Sequence, residues 1–491
     1  MKRVLVHTFG CQMNAHDSRR IEEALAADGY VPTDLPEHAD LIVLNTCSVR
    51  EKAEHKLVSA LGKLRPLKGD RPELRIAVAG CMAQEHGPKL LDRLDLVDVM
   101  VGPDNIPELP GLVRKAQVGG RYAATTLDDE PRFLTAEPRP EDPITGRPET
   151  SAYVTVMKGC DERCSYCIVP YTRGSEKYRS GDEIVREIAT LVAGGVREIT
   201  LLGQTVNSWH EPAHTQTRDE VGGVWIESRD EVGGGWTSDE SQFPQLLRRI
   251  AAEVPQLSRL RYTSPHPRHL TPSLIAAHAE LPVLPAHVHL PVQSGSDRVL
   301  KRMIRRYRRD EYIERTNALK AGRPGLTLAT DIIVGFPGET EEDFQQTLSL
   351  VDAVQFITVF GFKYSPRPHT PALKLEDDVP EEVKSDRLER LFAAVDVHQR
   401  RHLDALVGKT AEVLFEGPSK SGAGQFSGRS ERHEIVHVLA PEGVDLTGKL
   451  LKVEITQANK RSLAGRIVDL ELARAPRPAA KRSLRLPVVT A

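Results

Sequence analysis

Six cysteines in two contrasting arrangements constrain this chain more than any other feature of its sequence. Three sit on one short stretch, Lys158-Gly159-Cys160-Asp161-Glu162-Arg163-Cys164-Ser165-Tyr166-Cys167, a C-x3-C-x2-C spacing directly after a strand-like segment. The other three are far apart: Cys11 follows the first strand-like segment, Cys47 the second and Cys81 the third. The N-terminus runs straight into Met1-Lys2-Arg3-Val4-Leu5-Val6, without the apolar run and small-residue cleavage site of a secretory signal. No apolar stretch is long enough for a transmembrane helix. A cytoplasmic protein is therefore expected, and there clustered cysteines point to metal or redox chemistry rather than disulfides.

Thiolates this close on one loop can each reach a different iron of a single cluster, and ordinary electron-transfer clusters use four cysteines. Three leave one iron without a protein ligand. An open iron can bind the amino and carboxylate groups of S-adenosylmethionine (SAM) and place its sulfonium for one-electron cleavage. The product, a 5′-deoxyadenosyl radical, abstracts hydrogen from an unactivated C–H bond. Zinc also suits C-x2-C but needs a fourth ligand, and this loop carries no fourth cysteine and no histidine. The dispersed cysteines follow another logic. Ligands of open α/β folds bind at the carboxyl ends of the strands, so three cysteines just past three strand ends can converge. Gly10-Cys11-Gln12, Thr46-Cys47-Ser48 and Gly80-Cys81-Met82 put small or polar neighbours beside each, and the glycines allow close backbone approach to a bulky cofactor. The reading is two iron–sulfur clusters, each on three cysteines.

At 491 residues the chain is expected to form about three domains. Strand-like Lys2–Thr8, Ala39–Asn45 and Leu74–Ala79 alternate with helix-like Ser18–Ala27 and Arg50–Leu64, the pattern of a parallel α/β sheet over residues 1–127. Residues 128–148, rich in Pro, Asp, Glu and Arg, read as a linker. Over 149–380, strand candidates Ala152–Met157, Glu198–Leu202, Arg259–Tyr262, His287–Leu290, Leu326–Val334 and Thr358–Tyr364 alternate with helical patterns such as Asp182–Val192, Asp310–Ala321 and Glu341–Val354. They predict a βα barrel, full or partial. A connecting helix is expected over 381–407. A small β-barrel follows over 408–473, with strands at Glu412–Phe415, Glu434–Val438, Leu450–Ile455 and Arg466–Leu472, and then a basic tail over 474–491. The fold class is thus α/β with a terminal β-barrel.

Overall charge is −3, so any nucleic-acid site must be a local patch. From Gly408 onward, 14 basic and 9 acidic residues give +5. The segment 211–241 carries 8 acidic and 2 basic residues and an eleven-residue duplication, Arg218–Gly223 repeated as Arg229–Gly234, with Trp209, Trp225 and Trp236 in or beside it. It reads as a duplicated surface loop, expected to point away from nucleic acid.

The motifs resemble the methylthiotransferase family of radical SAM enzymes, and within it the MiaB-type branch, over nearly the whole chain. They are Thr8-Phe9-Gly10-Cys11-Gln12-Met13-Asn14, Leu44-Asn45-Thr46-Cys47-Ser48-Val49-Arg50-Glu51-Lys52-Ala53, Gly80-Cys81-Met82-Ala83, the C-x3-C-x2-C loop and Val169-Pro170-Tyr171-Thr172-Arg173-Gly174. Leu290-Pro291-Val292-Gln293-Ser294-Gly295-Ser296 and Asp331-Ile332-Ile333-Val334-Gly335-Phe336-Pro337-Gly338-Glu339-Thr340 complete the set. The resemblance implies a radical SAM barrel, a terminal TRAM-like RNA-binding domain and two 4Fe-4S clusters held by Cys11, Cys47 and Cys81 and by the catalytic Cys160, Cys164 and Cys167. It implies the transfer of a methylthio group to carbon 2 of N6-isopentenyladenosine, at position 37 in the anticodon stem-loop of tRNA. An electron donor protein would act as partner, and a monomer is expected. In the family picture one SAM methylates a sulfur carried by the N-terminal cluster, and a second SAM is cleaved reductively at the other.

Candidate SAM or substrate contacts are Gln204 after one strand, Gln293 and Ser294 after another, and Asp331 within a third; helix capping explains each equally well. Thr205 stands where MiaB-like sequences usually carry Asn, so no role is carried over to it. The basic run Lys301-Arg302-Met303-Ile304-Arg305-Arg306-Tyr307-Arg308-Arg309 is expected to meet tRNA phosphates or, on the alternative reading, to form a solvated helix face, with Lys460 and Arg461 as weaker candidates for RNA contact. Rival substrates under the same chemistry are threonylcarbamoyl-adenosine in tRNA and a ribosomal-protein aspartate, as in RimO-like relatives. A non-catalytic iron–sulfur RNA-binding protein is the rival from another class.

Overall fold

The computed structural model describes every residue except 49–50, 129–131, 137, 140, 213–240, 421, 423 and 475–491, and the side chains of 51–54. The acidic duplication, Trp225, Trp236 and the tail beyond Arg474 lie outside the described residues.

In the N-terminal unit, β1 (Lys2–Phe9), β2 (Tyr30–Pro32), β3 (Leu41–Thr46), β4 (Arg75–Gly80), β5 (Val99–Val101) and β6 (Tyr122–Ala124) form one parallel sheet in the order β2-β1-β3-β4-β5-β6. Every residue of β3, Leu-Ile-Val-Leu-Asn-Thr, is buried, as expected of a strand covered on both faces. Separate apolar clusters pack on the two sides: Ile42, Leu44, Ile76 and Val78 on one, Leu41, Val43, Ala77 and Ala79 on the other. Register then does something the strand pattern could not specify. Phe9 pairs with Thr46 and Thr46 with Gly80, so the three strands end level. The sheet order also reverses between β1 and β3, the switch point where open α/β sheets bind ligands.

The central unit holds β7 (Ser151–Thr155), a short antiparallel pair β8 (Met157–Lys158) and β9 (Lys177–Tyr178), then β10 (Glu198–Leu202), β11 (Arg259–Tyr262), β12 (His287–His289), β13 (Thr327–Val334) and β14 (Thr358–Lys363). Two three-stranded parallel sheets result, β11-β10-β7 and β12-β13-β14, which make a partial barrel. One core spans both, with Val154, Ile199, Leu260, Val288, Leu328 and Val359 inside.

The helix Glu381–Asp404 leads into a closed barrel of β15 (Thr410–Pro418), β16 (Gln425–Ser430), β17 (Ile435–Leu439), β18 (Leu450–Ala458) and β19 (Leu463–Ile467). The expected strand over Arg466–Leu472 is corrected: β19 ends at Ile467 and a short helix, Leu470–Arg474, follows. Its alternation is misleading because Val468, Leu470 and Leu472 are exposed. The polar β16 was not anticipated; only Phe426, Gly428 and Ser430 of it turn inward. Arg259 and Arg261 on β11 clamp this barrel to the central unit, donating to the carbonyls of Arg429, Glu412 and Ser430 at 2.7–3.2 Å.

Candidate twin metal centre

None of the six cysteines is in a disulfide, and all line one cavity of about 1560 Å³ that runs between the three units. Cys11, Cys47 and Cys81 leave the level ends of β1, β3 and β4. Cys11 caps the helix Gln12–Ala27, and its thiol is hydrogen-bonded to Cys47. Asn14 secures the corner: its Oδ1 accepts from the Cys11 N–H at 3.3 Å, and its Nδ2 donates to Asn45 Oδ1 and Thr46 O at 3.2 and 3.3 Å. Gly80, with φ of 97°, turns β4 into the helix Cys81–His86, and a Cβ there would stand 2.4 Å from Thr46 O. The hydrogen bond from Cys47, aided by Asn14 and the charge of Arg173, brings the Cys11 thiol down to about 6 against its burial. Burial pushes the Cys81 thiol up, although Arg173 opposes it.

The second triad hangs on one loop after β8. Gly159 takes φ of 75° and packs so tightly on Ser175 that a Cβ would lie 1.9 Å from its carbonyl oxygen. Cys160 N–H donates to Gly174 O at 3.1 Å, Ser165 N–H to Met303 O at 3.0 Å, and Cys167 N–H to Cys164 O at 3.0 Å. Burial raises Cys160 and Cys167 to about 12, the neighbouring Cys164 adding to the rise at Cys167.

Each triad receives one buried guanidinium. Arg173 Nε lies 3.4 Å from Cys81 Sγ, and Arg305 Nη1 lies 3.3 Å from Cys164 Sγ. Three thiols per set, with an N–H donor on a sulfur of each, make a donor set suited to thiolate-held iron clusters. Thr205 Oγ1, 3.0 Å from Cys160 Sγ, completes the surroundings of the second set. The same loop is strapped from outside. Glu162 Oε1 lies 3.2 Å from His269 Nε2 and 3.9 Å from Arg268, and these partners hold its carboxyl below the usual range against burial.

The predicted small-molecule contacts divide. Gln204, Gln293 and Asp331 line the cavity with the cysteines. Gln204 Oε1 is buried without a hydrogen-bond partner, Gln293 adopts φ of 75°, and Asp331 Oδ1 lies 3.0 Å from His289 Nε2. Ser294 is not brought to the cavity. It is fully buried, its Oγ accepting from Ser296 N–H at 3.2 Å and lying 3.5 Å from Thr347 Oγ1. The basic run is corrected in part: Arg305 is buried, bonded to Cys164, Pro291 O and Tyr307, whereas Lys301, Arg306 and Arg308 are exposed. Trp209 is buried and donates to Arg179 O at 2.9 Å. Arg429, Arg432 and Arg461 of the terminal barrel border the cavity, with Arg461 exposed. Sequence reasoning left Thr205 without a role and took Arg305 for a phosphate contact. No local pattern distinguishes a buried arginine within a basic run.

Residues 3–102 match a family described as Uncharacterized protein family UPF0004, 154–351 the Radical SAM superfamily and 404–468 the TRAM domain. A tRNA-2-methylthio-N(6)-dimethylallyladenosine synthase of Sorangium cellulosum (strain So ce56) is 56% identical over 100% of this chain and 99% of its own length. A protein of the same name from Jannaschia sp. (strain CCS1) is 44% identical over 95% of this chain and 94% of its own. Among solved structures, the radical S-adenosylmethionine methyltransferase TsrM from Kitasatospora setae, with tryptophan and a SAM analog bound, is 15% identical. It aligns with a TM-score of 0.50 over 76% of this chain and 75% of its own. That likeness is one of fold.

Proposed function

This chain belongs to the tRNA-2-methylthio-N(6)-dimethylallyladenosine synthase family of radical SAM enzymes, and from that premise we propose that it adds a methylthio group to carbon 2 of N6-isopentenyladenosine at position 37 of tRNA. The observation that carries the reading is the convergence of both cysteine triads and the rim of the terminal barrel on one cavity. An adenine bound there would have both triads in its lining, with its RNA backbone beside the rim of the barrel.

Carbon 2 of adenine bears a hydrogen that is not acidic, and the carbon is too weak a nucleophile for direct thiolation, so the reaction needs a radical route. The family uses SAM with a 4Fe-4S cluster; Cys160, Cys164 and Cys167 would hold that cluster, and Cys11, Cys47 and Cys81 a second one. Once bound, the clusters would supply reductive cleavage of SAM at the loop triad, Cys160, Cys164 and Cys167, and a sulfur-carrying site at the N-terminal triad. The chain's own residues do the rest. Gly159 and the bonds from Cys160, Ser165 and Cys167 hold the loop in one shape before any ligand arrives. Gln204 offers an unpaired carbonyl to a donor on SAM or substrate, with Gln293 and Asp331 beside it in the lining. Arg461, exposed at the rim beside Arg429 and Arg432, which are paired with Glu416 and Glu431, supplies charge to phosphates, so binding weakens as salt rises. No helix among the described residues is long and apolar enough to cross a membrane, and the enzyme works as a cytoplasmic monomer served by an electron donor protein.

The test uses anaerobically reconstituted full-length protein, reductant, SAM and isopentenylated tRNA, followed by nucleoside mass spectrometry. A methylthio mass gain on isopentenyladenosine establishes reaction and substrate together. Release of 5′-deoxyadenosine without that gain would move the substrate to another branch of the family.

A further inference from the structure

We propose that Arg173, a residue of the central unit, is a positioning residue that sets the electronic environment of the N-terminal cysteine triad. The inference rests on reading Cys11, Cys47 and Cys81 as cluster ligands. Arg173 ends the helix Val169–Arg173, which starts two residues after Cys167, so its backbone continues the second triad's loop. Its side chain crosses the domain boundary. Nη2 lies 2.6 Å from Asp17 Oδ2 while Nε points to Cys81 Sγ at 3.4 Å, and all three residues are buried.

A guanidinium taken out of water is costly unless its donors and charge are matched. Here a carboxylate takes one edge and a sulfur lies at Nε. On its far side Asp17 is flanked by His16, whose Nδ1, without a hydrogen bond, is 3.6 Å from Asp17 Oδ1 and whose Nε2 is 3.2 Å from Thr155 Oγ1 at the end of β7. The chain of contacts thus closes a ring. It runs from the second triad's loop through Arg173 to Cys81 and Asp17, then through His16 to the strand that feeds that loop. The positive charge also reaches Cys11. Hydrogen bonds to ligand sulfurs and nearby positive charge stabilise the more electron-rich state of an iron–sulfur cluster and so raise its reduction potential. Arg305 on Cys164 occupies the equivalent position on the second triad but comes from within its own unit. Arg173 is therefore the residue through which one triad's loop acts on the other triad.

The experiment reads each cluster alone in the full chain. A Cys160→Ala/Cys164→Ala/Cys167→Ala background is reconstituted anaerobically, and the remaining cluster is titrated potentiometrically by electron paramagnetic resonance. Arg173→Lys, Arg173→Gln and the pair Arg173→Met/Asp17→Asn are then introduced; the pair removes both charges together and leaves no orphaned carboxylate. The expected result is unchanged iron content, a more negative midpoint potential in Arg173→Gln and in the paired variant, and an intermediate shift in Arg173→Lys. In the reciprocal Cys11→Ala/Cys47→Ala/Cys81→Ala background the same substitutions leave the potential where it was. Retained iron with an unmoved potential overturns the proposal, as does an equal shift in both backgrounds. Loss of iron in Arg173→Lys, which keeps the charge, would reduce Arg173 to a structural role and overturn it too. Absence of any cluster in the first background, before Arg173 is changed, would instead sink the reading of the N-terminal triad itself.

Discussion

The N-terminal triad is assembled from three strand ends spread between Cys11 and Cys81, whereas the second comes from one loop between Cys160 and Cys167. Both open on the same cavity, and burial raises Cys81 as it does the loop thiols, yet Cys11 differs sharply from them. Cys11 sits at a helix start with Cys47 and Asn14 bonded to it and falls to about 6; Cys160 and Cys167, buried in a tight loop, rise to about 12. The difference teaches how each set is organised. A sheet delivers side chains to one edge through register, so the first set depends on long-range pairing. The loop depends on a few local backbone contacts, above all at Gly159 and Gly174.

The largest effect should come from breaking one triad at a time. Cys160→Ala is expected to abolish 5′-deoxyadenosine release, whereas Cys47→Ala should keep part of that release and lose all methylthio transfer, both read by mass spectrometry. Equal loss of both products in Cys47→Ala would erase the division of labour. Next in size is the backbone test. Gly159→Ala places a Cβ against Ser175 O in a left-handed conformation, a strain on the order of 1–3 kcal/mol before any clash is counted. It should strip iron from the loop triad alone; Gly80→Ala should do so for the dispersed triad alone. Iron analysis in the two triple-cysteine backgrounds separates them.

A smaller contrast concerns acid. Burial works to raise the Asp17 carboxyl, but Arg173 and His16 hold it at about 2, below its usual 3.8. A depressed folded-state pKa contributes stability above the unfolded value that is lost as pH falls toward 2, here on the order of 2 kcal/mol. The N-terminal unit's urea midpoint should fall over that acid window in the parent chain and change less in Asp17→Asn. The subtlest test is alkylation of the iron-free chain by iodoacetamide. Because its pKa is lowered, Cys11 is mostly thiolate at neutral pH, and its labelling should rise to half-maximum near pH 6. Cys160 and Cys167 should stay largely unlabelled at that pH, being protonated until about 12. Uniform labelling of all three would remove the electrostatic half of the comparison.

Much of this was legible in the residues. The alternation of strand-like runs with helical patterns located β1, β3, β4 and β10 through β14 to within a residue or two; the signal is plainest in β3 and β4, which are covered on both faces and so nearly apolar throughout. The short strands Tyr30–Pro32, Val99–Val101 and Tyr122–Ala124 escaped notice; three residues carry no period. The C-x3-C-x2-C spacing needed no structure to be read as one set. The sequence misleads at Arg305 and is silent at Thr205 for a common reason. Each touches a cysteine more than forty positions away, and the chain around it looks like an ordinary basic turn or a strand end.

Sequence alone determined which side chains could carry the chemistry: six thiols, an open-ended loop spacing and three glycine- or polar-flanked strand ends. Only the tertiary structure decided that Phe9, Thr46 and Gly80 end level, that Arg173 crosses between units to Cys81, and that Ser294 is sealed away while Gln204 faces the cavity. The physical reason is one of range. Residue type and spacing act over a turn or a loop, whereas register, burial and the direction of a long guanidinium are settled by how distant elements pack.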